Sequence, residues 1–212
     1  MNKYKKTLFL ISRPQITVVL GENSGFIADF ISYIQKNSKL NPKIIKGNFP
    51  VFWQKNINYI ICDIDNNYED IAFMLENSSF SVLVLAKISG DSFNQKDEAI
   101  LKIINIVKNI PENGFIIFDF EDGISRRMRA DSKAQILTYG FEENANLKTS
   151  DININKSETN FKINYEGSIV PFWLAKKMDK EEISNIMAVL LYGIVKKINL
   201  VEISQSLRDF KF

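Results

Sequence analysis

The chain has 212 residues, 45% of them hydrophobic and 12% aromatic, so it can bury a core and wholesale disorder is excluded. Its 27 Lys and Arg nearly balance 25 Asp and Glu, and a net charge of +2 predicts neither a nucleic-acid partner nor binding to an anionic membrane surface. A single cysteine, Cys62, and no histidine exclude a disulfide framework, Cys-clustered or His-type metal sites, and histidine-dependent catalysis.

The first two thirds of the chain alternate short apolar runs with segments of helical periodicity. Strands are predicted over residues 16–20, 59–64, 81–88, 115–118 and 135–139. Helices are predicted from near residue 25 to residue 34, over residues 68–75 and over residues 97–109. This alternation is typical of an α/β fold with a mostly parallel, P-loop or Rossmann-like sheet flanked by helices.

The character of the chain changes after residue 139. Apolar and polar residues alternate over residues 151–154, 161–165 and 168–172, which predicts a small antiparallel strand addition. Helices are predicted over residues 180–197 and 200–210. We expect one domain over residues 1–212, with residues 1–13 as an N-terminal extension. No stretch approaches the roughly 18 apolar residues of a membrane span, so we expect a cytoplasmic protein.

A glycine-rich turn separates the first strand from the first predicted helix. Such a turn directs backbone N–H groups and a helix N-terminus toward one spot, which favours a phosphate. A working phosphate loop also needs Lys and Ser or Thr after its last glycine, but Phe26 and Ile27 stand there. Residual anion binding and a plain connecting turn both stay open. The candidate phosphate-binding residues are Gly21, Asn23, Ser24 and Gly25.

Carboxylates follow the second predicted strand. Asp63 and Asp65 lie at its carboxyl end, where open α/β sheets bind ligands, and carboxylates there could hold Mg²⁺. Polar residues also end strands without any such role, so both interpretations stay open.

A second acidic group follows the predicted strand over residues 115–118. Asp119, Glu121 and Asp122 precede a basic segment that contains Arg126 and Arg127. The favoured interpretation is a solvated acidic turn that faces a basic helix, and ligand contact is the alternative.

Aromatic residues mark two segments that could contact a protein partner or a second copy. Trp53 and Trp173 are interpreted as core or interface aromatics. Residues 49–53 and 172–173 are therefore candidates for an exposed apolar surface.

Segments in the second half of the chain follow a recognisable order. Residues 111–122 are similar to a Gly-led strand that ends in Asn-x-Asp-Asp. Residues 136–140 are similar to a Thr-Phe/Tyr-Gly strand, and residues 145–146 stand where Ala-Asp follows it.

The order continues to the end of the chain. Residues 182–189 resemble a helix start of the form Asn-x-x-Asn-x-x-Ala-Ala, and Ile203, Leu207 and Phe210 match the usual ending. Over roughly residues 14–210, the chain therefore resembles the central, ATP-binding domain of the Mur ligase family. Members of that family are ATP-dependent acid–amino-acid ligases of peptidoglycan synthesis.

The resemblance implies ATP and Mg²⁺ as possible cofactors. The glycine-rich turn falls on the family's phosphate loop, and Asn185 falls on the second Asn of the helix start, a nucleotide-binding position. Asp63 stands where the family has a Mg²⁺-binding Glu, and Asp91 matches an Asp of the family, so these two are the candidate metal ligands.

At the positions that carry catalysis in the family, this sequence has different residues. Phe26 and Ile27 replace the Lys and Thr of the phosphate loop, Lys87 replaces an Asn, and Ser92 replaces a His. Ile103 falls near the position of a carbamylated Lys that holds a second metal ion in many members. No catalytic residue is therefore assigned, and no cofactor is expected with certainty.

Three functions stay open. The favoured one is a Mur-ligase-like protein that has lost ATP-dependent ligase activity and acts as a binding or assembly partner. The second is an ATP-dependent acid–amino-acid ligase that acts with a partner subunit. The third is a generic α/β protein that binds an unrelated small ligand and is related to the family only by the likeness of its sheet.

Overall fold

The computed structural model describes residues 1–62, 67–88, 98–129, 132–207 and 210. Its strands are β1 (Gln15–Leu20), β2 (Pro42–Lys46), β3 (Asn58–Cys62), β4 (Phe80–Leu85), β5 (Phe115–Asp119), β6 (Gln135–Gly140), β7 (Leu147–Ile154), β8 (Thr159–Tyr165) and β9 (Ser168–Leu174). Its helices are α1 (Lys3–Ser12), α2 (Ser24–Asn37), α3 (Tyr68–Asn77), α4 (Glu98–Lys108), α5 (Gly123–Met128), α6 (Lys180–Val195) and α7 (Leu200–Leu207).

The described strands form one sheet in the order β2-β3-β1-β4-β5-β6-β7-β8-β9. Neighbours from β2 to β7 pair in parallel, while β7, β8 and β9 pair antiparallel. The predicted α/β fold with a mostly parallel sheet and a small antiparallel addition is confirmed.

The sheet separates two hydrophobic cores because its central strands are apolar on both faces. On β1, Val19 points into a core formed with α2, α6 and α7. Its neighbour Val18 points into the opposite core, formed with α1, α3, α4 and α5. The two layers of helices hold the carboxyl ends of the parallel strands in fixed positions at one edge.

The antiparallel addition begins where β7 leaves the parallel sheet. Tyr139 and Gly140 of β6 pair with Leu147 and Lys148 of β7, and no further pairs join these two strands. The rest of β7 pairs with β8, with a register shift between Ser150 and Asn153. The strand predicted over residues 151–154 therefore begins four residues earlier than expected.

Two described elements were not predicted from the sequence. Residues 1–13, which were expected to be an N-terminal extension, contain helix α1. The only fully buried side chain of this helix is Phe9, so the apolar periodicity of its sequence is weak. The edge strand β2 has a single buried residue, Ile45. Short elements with one buried side chain lack the repeated apolar spacing on which a prediction depends.

A helix that crosses a membrane must be both long and apolar. Within the described ranges, no helix combines the length and apolar character needed to cross a membrane.

Candidate functional site

The glycine-rich turn is fastened to the end of the neighbouring strand. Gly21 has φ of +101°, and a Cβ built on it would lie 2.5 Å from the carbonyl oxygen of Ala86 after β4. The backbone N–H of Glu22 donates to the carbonyl oxygen of Lys87 at 3.0 Å. Position 21 therefore requires glycine, because both the left-handed backbone and the close approach exclude a side chain.

The turn also contacts the start of α6. Asn23 adopts a left-handed conformation with φ of 57° and precedes α2, which begins at Ser24. Its side-chain amide does not cap α2 but donates to Oε1 of Glu181 at 2.7 Å. The side chain of Asn23 thus joins the N-terminal ends of α2 and α6.

The residues after Gly25 are part of the hydrophobic packing. Ile27 is fully buried in the core shared by α2 and α6. The ring of Phe26 lies 6.1 Å from that of Phe30 and 6.3 Å from that of Phe210, measured between centroids. These side chains carry no charge or hydroxyl group, so they can neither neutralise a phosphate nor bind Mg²⁺.

A buried carboxyl group lies at the end of β5. Asp119 is 8% exposed, and its Oδ2 accepts a hydrogen bond from Oγ of Ser184 on α6 at 2.9 Å. Its Oδ1 accepts from the backbone N–H of Glu121 at 2.9 Å. The interpretation of this turn as solvated is wrong for Asp119, because α6 covers it.

Glu121 joins the ends of β5 and β6. Its Oε1 accepts from the backbone N–H groups of Phe141 and Glu142 at 2.7 and 2.8 Å. A Cβ on Gly140 would lie 2.7 Å from this carboxylate, so glycine makes room for it. Two segments that carry the family resemblance, residues 111–122 and 136–140, therefore meet at this carboxylate.

The third acidic residue of the turn serves the short helix that follows it. Asp122 accepts from the backbone N–H groups of Ile124 and Ser125 and so caps α5. On α5, the guanidinium of Arg126 lies over the ring of Phe120 at 5.5 Å from its centroid. The acidic residues are thus bound mainly by backbone groups and by α6.

Burial changes the acidity of this cluster. Burial and, next, the hydrogen bond with Glu121 raise the pKa of Asp119 to about 7. Burial and the nearby charge of Asp119 also raise the pKa of Tyr139. The edge of the sheet at which the parallel strands end, called here the carboxyl edge, therefore contains a described group, Asp119, that can gain or lose a proton near neutral pH.

Asn185 lies on α6 one turn after Glu181, and it is 6% exposed. Position 182, where the resembled helix start has its first Asn, is Glu182. That residue exchanges hydrogen bonds with Asp179 in a capping box, with Asp179 N to Oε2 at 3.0 Å and Glu182 N to Oδ1 at 2.8 Å. One of the two Asn positions has thus become part of the helix start.

The structure brings together only part of the predicted set. The turn residues Gly21, Asn23, Ser24 and Gly25 lie beside the start of α6, and Asn185 follows on that helix. The predicted metal ligands Asp63 and Asp91 lie outside the described residues. Among the described residues, no group of three or more carboxylate or cysteine side chains could hold a metal ion.

Helix α4 contains Ile103, which falls near the position of the carbamylated Lys in the resembled family. Ile103 is 8% exposed and packs in the core, and its neighbour Lys102 pairs with Glu98 at 2.6 Å. A lysine that points to solvent and pairs along its own helix is not placed to serve the carboxyl edge.

The aromatic segments divide between core and surface. Phe49 and Trp53 are buried, whereas Phe52 between them is 69% exposed. Phe172 is fully buried and Trp173 is 50% exposed. The expected apolar surface is thus present only in part, at Val51, Phe52 and Trp173.

Sequence reasoning missed the contacts of α6 with the glycine-rich turn and with β5. Asn23 and Glu181 are 158 residues apart, and Asp119 and Ser184 are 65 apart. No local spacing signals such pairs. The apolar stripe of α6 predicted the helix but gave no register against the strand ends.

Comparison with known proteins identifies relatives along most of the chain. A family model for the Mur ligase middle domain matches residues 54–193. A UDP-N-acetylmuramate–L-alanine ligase from Endomicrobium trichonymphae is 26% identical over 181 residues, which cover 82% of this chain and 36% of the relative. A ligase of the same description from Streptococcus thermophilus is 25% identical over 156 residues, which cover 73% of this chain and 34% of the relative.

Solved structures share the fold at lower identity. MurF from Acinetobacter baumannii matches with a TM-score of 0.77 and 14% identity over 99% of this chain and 49% of its own. The MurF ligase from Thermotoga maritima in complex with ADP matches with a TM-score of 0.74 and 16% identity over 98% of this chain and 51% of its own. The chain spans about a third of the length of the curated relatives that it matches.

Proposed function

The chain belongs to the Mur ligase family, and we propose that it has lost ATP-dependent ligase activity and serves as a binding or assembly partner. The observation that carries the proposal is the packing of Phe26 and Ile27. These residues occupy the positions at which a phosphate loop needs a cation and a hydroxyl, but Ile27 is buried in the hydrophobic core and the half-buried Phe26 packs against it.

The size of the expected loss supports this proposal. Proteins catalyse phosphoryl transfer mainly by positioning groups and neutralising charge. Removal of one preorganised group that stabilises charge in the transition state lowers the rate by a factor of roughly 10²–10³. With the Lys and the hydroxyl replaced together, we expect formation of an acyl phosphate from ATP to be negligible even if the two losses are not additive.

The remaining polar groups of the site support a scaffold role. Asn23 binds Glu181, Asp119 binds Ser184, and the carboxylate of Glu121 is occupied by backbone N–H groups. Each bond joins one element of the fold to another. The carboxyl edge is therefore held together by the side chains that would otherwise face a ligand.

A ligase assay tests the loss of activity. The chain is incubated with ATP, Mg²⁺, UDP-N-acetylmuramate and L-alanine, and phosphate release is measured beside the Streptococcus thermophilus ligase. We expect release from the ligase only. Release from the chain that falls in an Asn185→Ala variant but not in an Asn153→Ala variant would contradict the proposal, because Asn153 lies far from the edge on β7.

A second candidate function is a ligase that works with a partner subunit. The similarity to ligases over most of the chain and the carboxyl group of Asp119, with its pKa of about 7, favour it. Proteins that co-purify with the chain would be added to the same assay. ATP-dependent phosphate release in the presence of one of them, lost in the Asn185→Ala variant, would support this candidate. The absence of phosphate release with all of them would count against it.

A further inference from the structure

A half-buried lysine lies at the edge of the sheet opposite the carboxyl edge. Lys196 directly follows α6, and its Nζ donates to Oε1 of Gln15, the first residue of β1, at 2.5 Å. The same Nζ lies 4.6 Å from the centroid of the ring of Phe80, the first residue of β4. Both contacts are made where parallel strands begin, so this amine lies away from the site described above.

The groups that contact this amine are aromatic rings and an amide, not a carboxylate. The ring of Phe80 packs on that of Phe115, with 5.7 Å between centroids. Strands β1 and β4, which supply the two contacting residues, contain no charged residue. None of the ion pairs within the described part of the chain includes Lys196. Lys196 is thus partly removed from water without an anion beside it.

The elements packed against α6 bring no compensating charge to this amine. These elements are α2, α7, β5, β6 and β7. Their charged residues are Asp29, Lys36, Asp119, Lys148, Asp151 and Glu202. Asp29 and Asp151 pair with other lysines, and Asp119 lies at the opposite end of β5. In α6 itself, Glu181 and Glu182 belong to the first turn, about 20 Å along the helix axis from Lys196.

Burial without a nearby anion favours the neutral amine over the ammonium ion. It lowers the pKa of Lys196 to about 8. At pH 7 about one such amine in ten is neutral, against roughly one in 3,000 for an ordinary lysine, whose pKa is 10.5. The side-chain oxygen of Gln15 accepts an N–H group from either form. The lone pair of the neutral amine is therefore available for reaction.

We propose that Lys196 is a nucleophilic lysine that accepts an acyl group from a small activated donor, either an acyl phosphate or a thioester. The neutral Nζ attacks the carbonyl carbon of the donor, and an amide C–N bond forms. The C–O bond to phosphate or the C–S bond to the thiol breaks, and its electron pair leaves with the phosphate or thiolate. One proton passes from the nitrogen to water, so the acylated side chain is uncharged.

Acylation changes the contact between the end of α6 and the sheet. Lys196 is the C-terminal cap of α6, where a cation interacts favourably with the helix dipole. The acylated side chain carries no cation to the helix end or to the ring of Phe80. The modification therefore acts where α6 meets the beginnings of β1 and β4, and it uses neither the glycine-rich turn nor the carboxyl edge.

Acetylation resolved by residue tests the proposal. The full chain is incubated with acetyl phosphate in one arm and with acetyl-coenzyme A in the other, over a range of pH, and mass spectrometry of fragments measures the rate at each lysine. Lys197 is the matched control, because it is the next residue and is exposed. We expect Lys196 to react about tenfold faster than Lys197 at pH 7, since the weaker nucleophilicity of a less basic amine offsets part of its larger neutral fraction.

A Gln15→Glu variant supplies the missing anion. Its carboxylate stands where the amide oxygen accepts from Nζ, so it holds Lys196 in the charged form. The rate at Lys196 should then fall about tenfold at pH 7. Asn153→Asp, which adds a carboxylate at an exposed position of β7, should leave that rate unchanged. Circular dichroism checks that both variants fold, and if Gln15→Glu does not, the pH profile of the unmodified chain decides.

The pH profile of the unmodified chain gives the sharpest outcome. The rate at Lys196 should level off above pH of about 8, while the rate at Lys197 continues to rise. Parallel profiles, equal rates at pH 7 with both donors, or an equal change in Gln15→Glu and Asn153→Asp would overturn the proposal. Reaction with one donor alone supports it and identifies the donor as an acyl phosphate or a thioester. The ligase assay has no bearing on any of these results.

Discussion

Asp119 gives the unfolding free energy a specific pH dependence. Its pKa in the folded chain is raised to about 7 by burial, so the native state holds the proton more tightly than the unfolded chain. The stability associated with this proton is fully present below pH of about 4 and is lost as the pH rises through about 7. Asp119→Asn should therefore be more stable relative to the unmodified chain at pH 8 than at pH 4.

Urea unfolding at the two pH values measures this difference. Asp151→Asn is the matched control, because that carboxylate is exposed and paired with Lys162 at 2.7 Å. The control should not reproduce the pH-dependent difference. If the stability of Asp119→Asn follows that of the unmodified chain at both pH values, the pKa of the Asp119 carboxyl is not raised.

Gly140 makes room for the carboxylate of Glu121. A Cβ at position 140 would lie 2.7 Å from that carboxylate, which accepts from two backbone N–H groups. Gly140→Ala should therefore displace Glu121 and cost about 1–3 kcal/mol of unfolding free energy.

A double-mutant cycle separates this effect from a general cost of alanine in β6. The cost of Gly140→Ala should shrink in a Glu121→Ala background, because the displaced group is then absent. Urea unfolding of the four proteins gives the coupling, and equal costs in both backgrounds would refute the explanation.

At the scale of single residues, the sequence predicted burial better than contact. The helical spacing that starts at Phe26 places Ile27 on the inner face of α2, and it is fully buried. The bond from Asn23 to Glu181 could not be predicted, because it depends on the position of a helix that begins more than 150 residues later.

Among the elements, α6 depends on its capping box. Asp179 accepts from the N–H of Glu182, and the Glu182 side chain also pairs with Lys176 at 2.6 Å. Asp179→Ala should cost about 1 kcal/mol of unfolding free energy, because one N–H at the helix start loses its acceptor. Thermal unfolding measures the change, with Lys177→Ala as an exposed control, and a similar shift in both variants would count against the cap.

The edge strand β9 carries a device against further pairing. Pro171 lacks an N–H group, and its carbonyl oxygen accepts from Oγ of Ser204 on α7 at 2.9 Å. Proline and covered carbonyls discourage an edge strand from pairing with another chain. Pro171→Val should therefore self-associate with increasing concentration in light scattering. Ile169→Val on the same strand is the control, and a monodisperse Pro171→Val variant at the same concentration as that control would disprove this role.

The sequence predicted the elements with repeated buried positions and missed those with one. Strand β1, with five buried residues, begins within one residue of the predicted bound. The predicted strand over residues 151–154 begins too late, because the preceding part of β7 mixes Leu147 and Thr149 with polar residues. Alternation in a strand that is half exposed is a weaker signal than a continuous apolar run.

For the whole molecule, the α/β fold could be predicted because strands covered on both faces need continuous apolar runs. Membership of the family also removes the third interpretation, in which the resemblance is only that of a generic sheet. The site was less predictable. The apolar character of positions 26 and 27 is evident in the sequence, but the candidate metal ligands Asp63 and Asp91 lie outside the described residues.

Loss of the nucleotide site is tested most directly by calorimetric titration of the chain with ATP, with and without Mg²⁺. Phe26 and Ile27 supply neither the charge nor the hydroxyl that make nucleotide binding depend on the metal ion. We expect no micromolar binding in either condition. Micromolar binding that requires Mg²⁺ and disappears in an Asn185→Ala variant would contradict it.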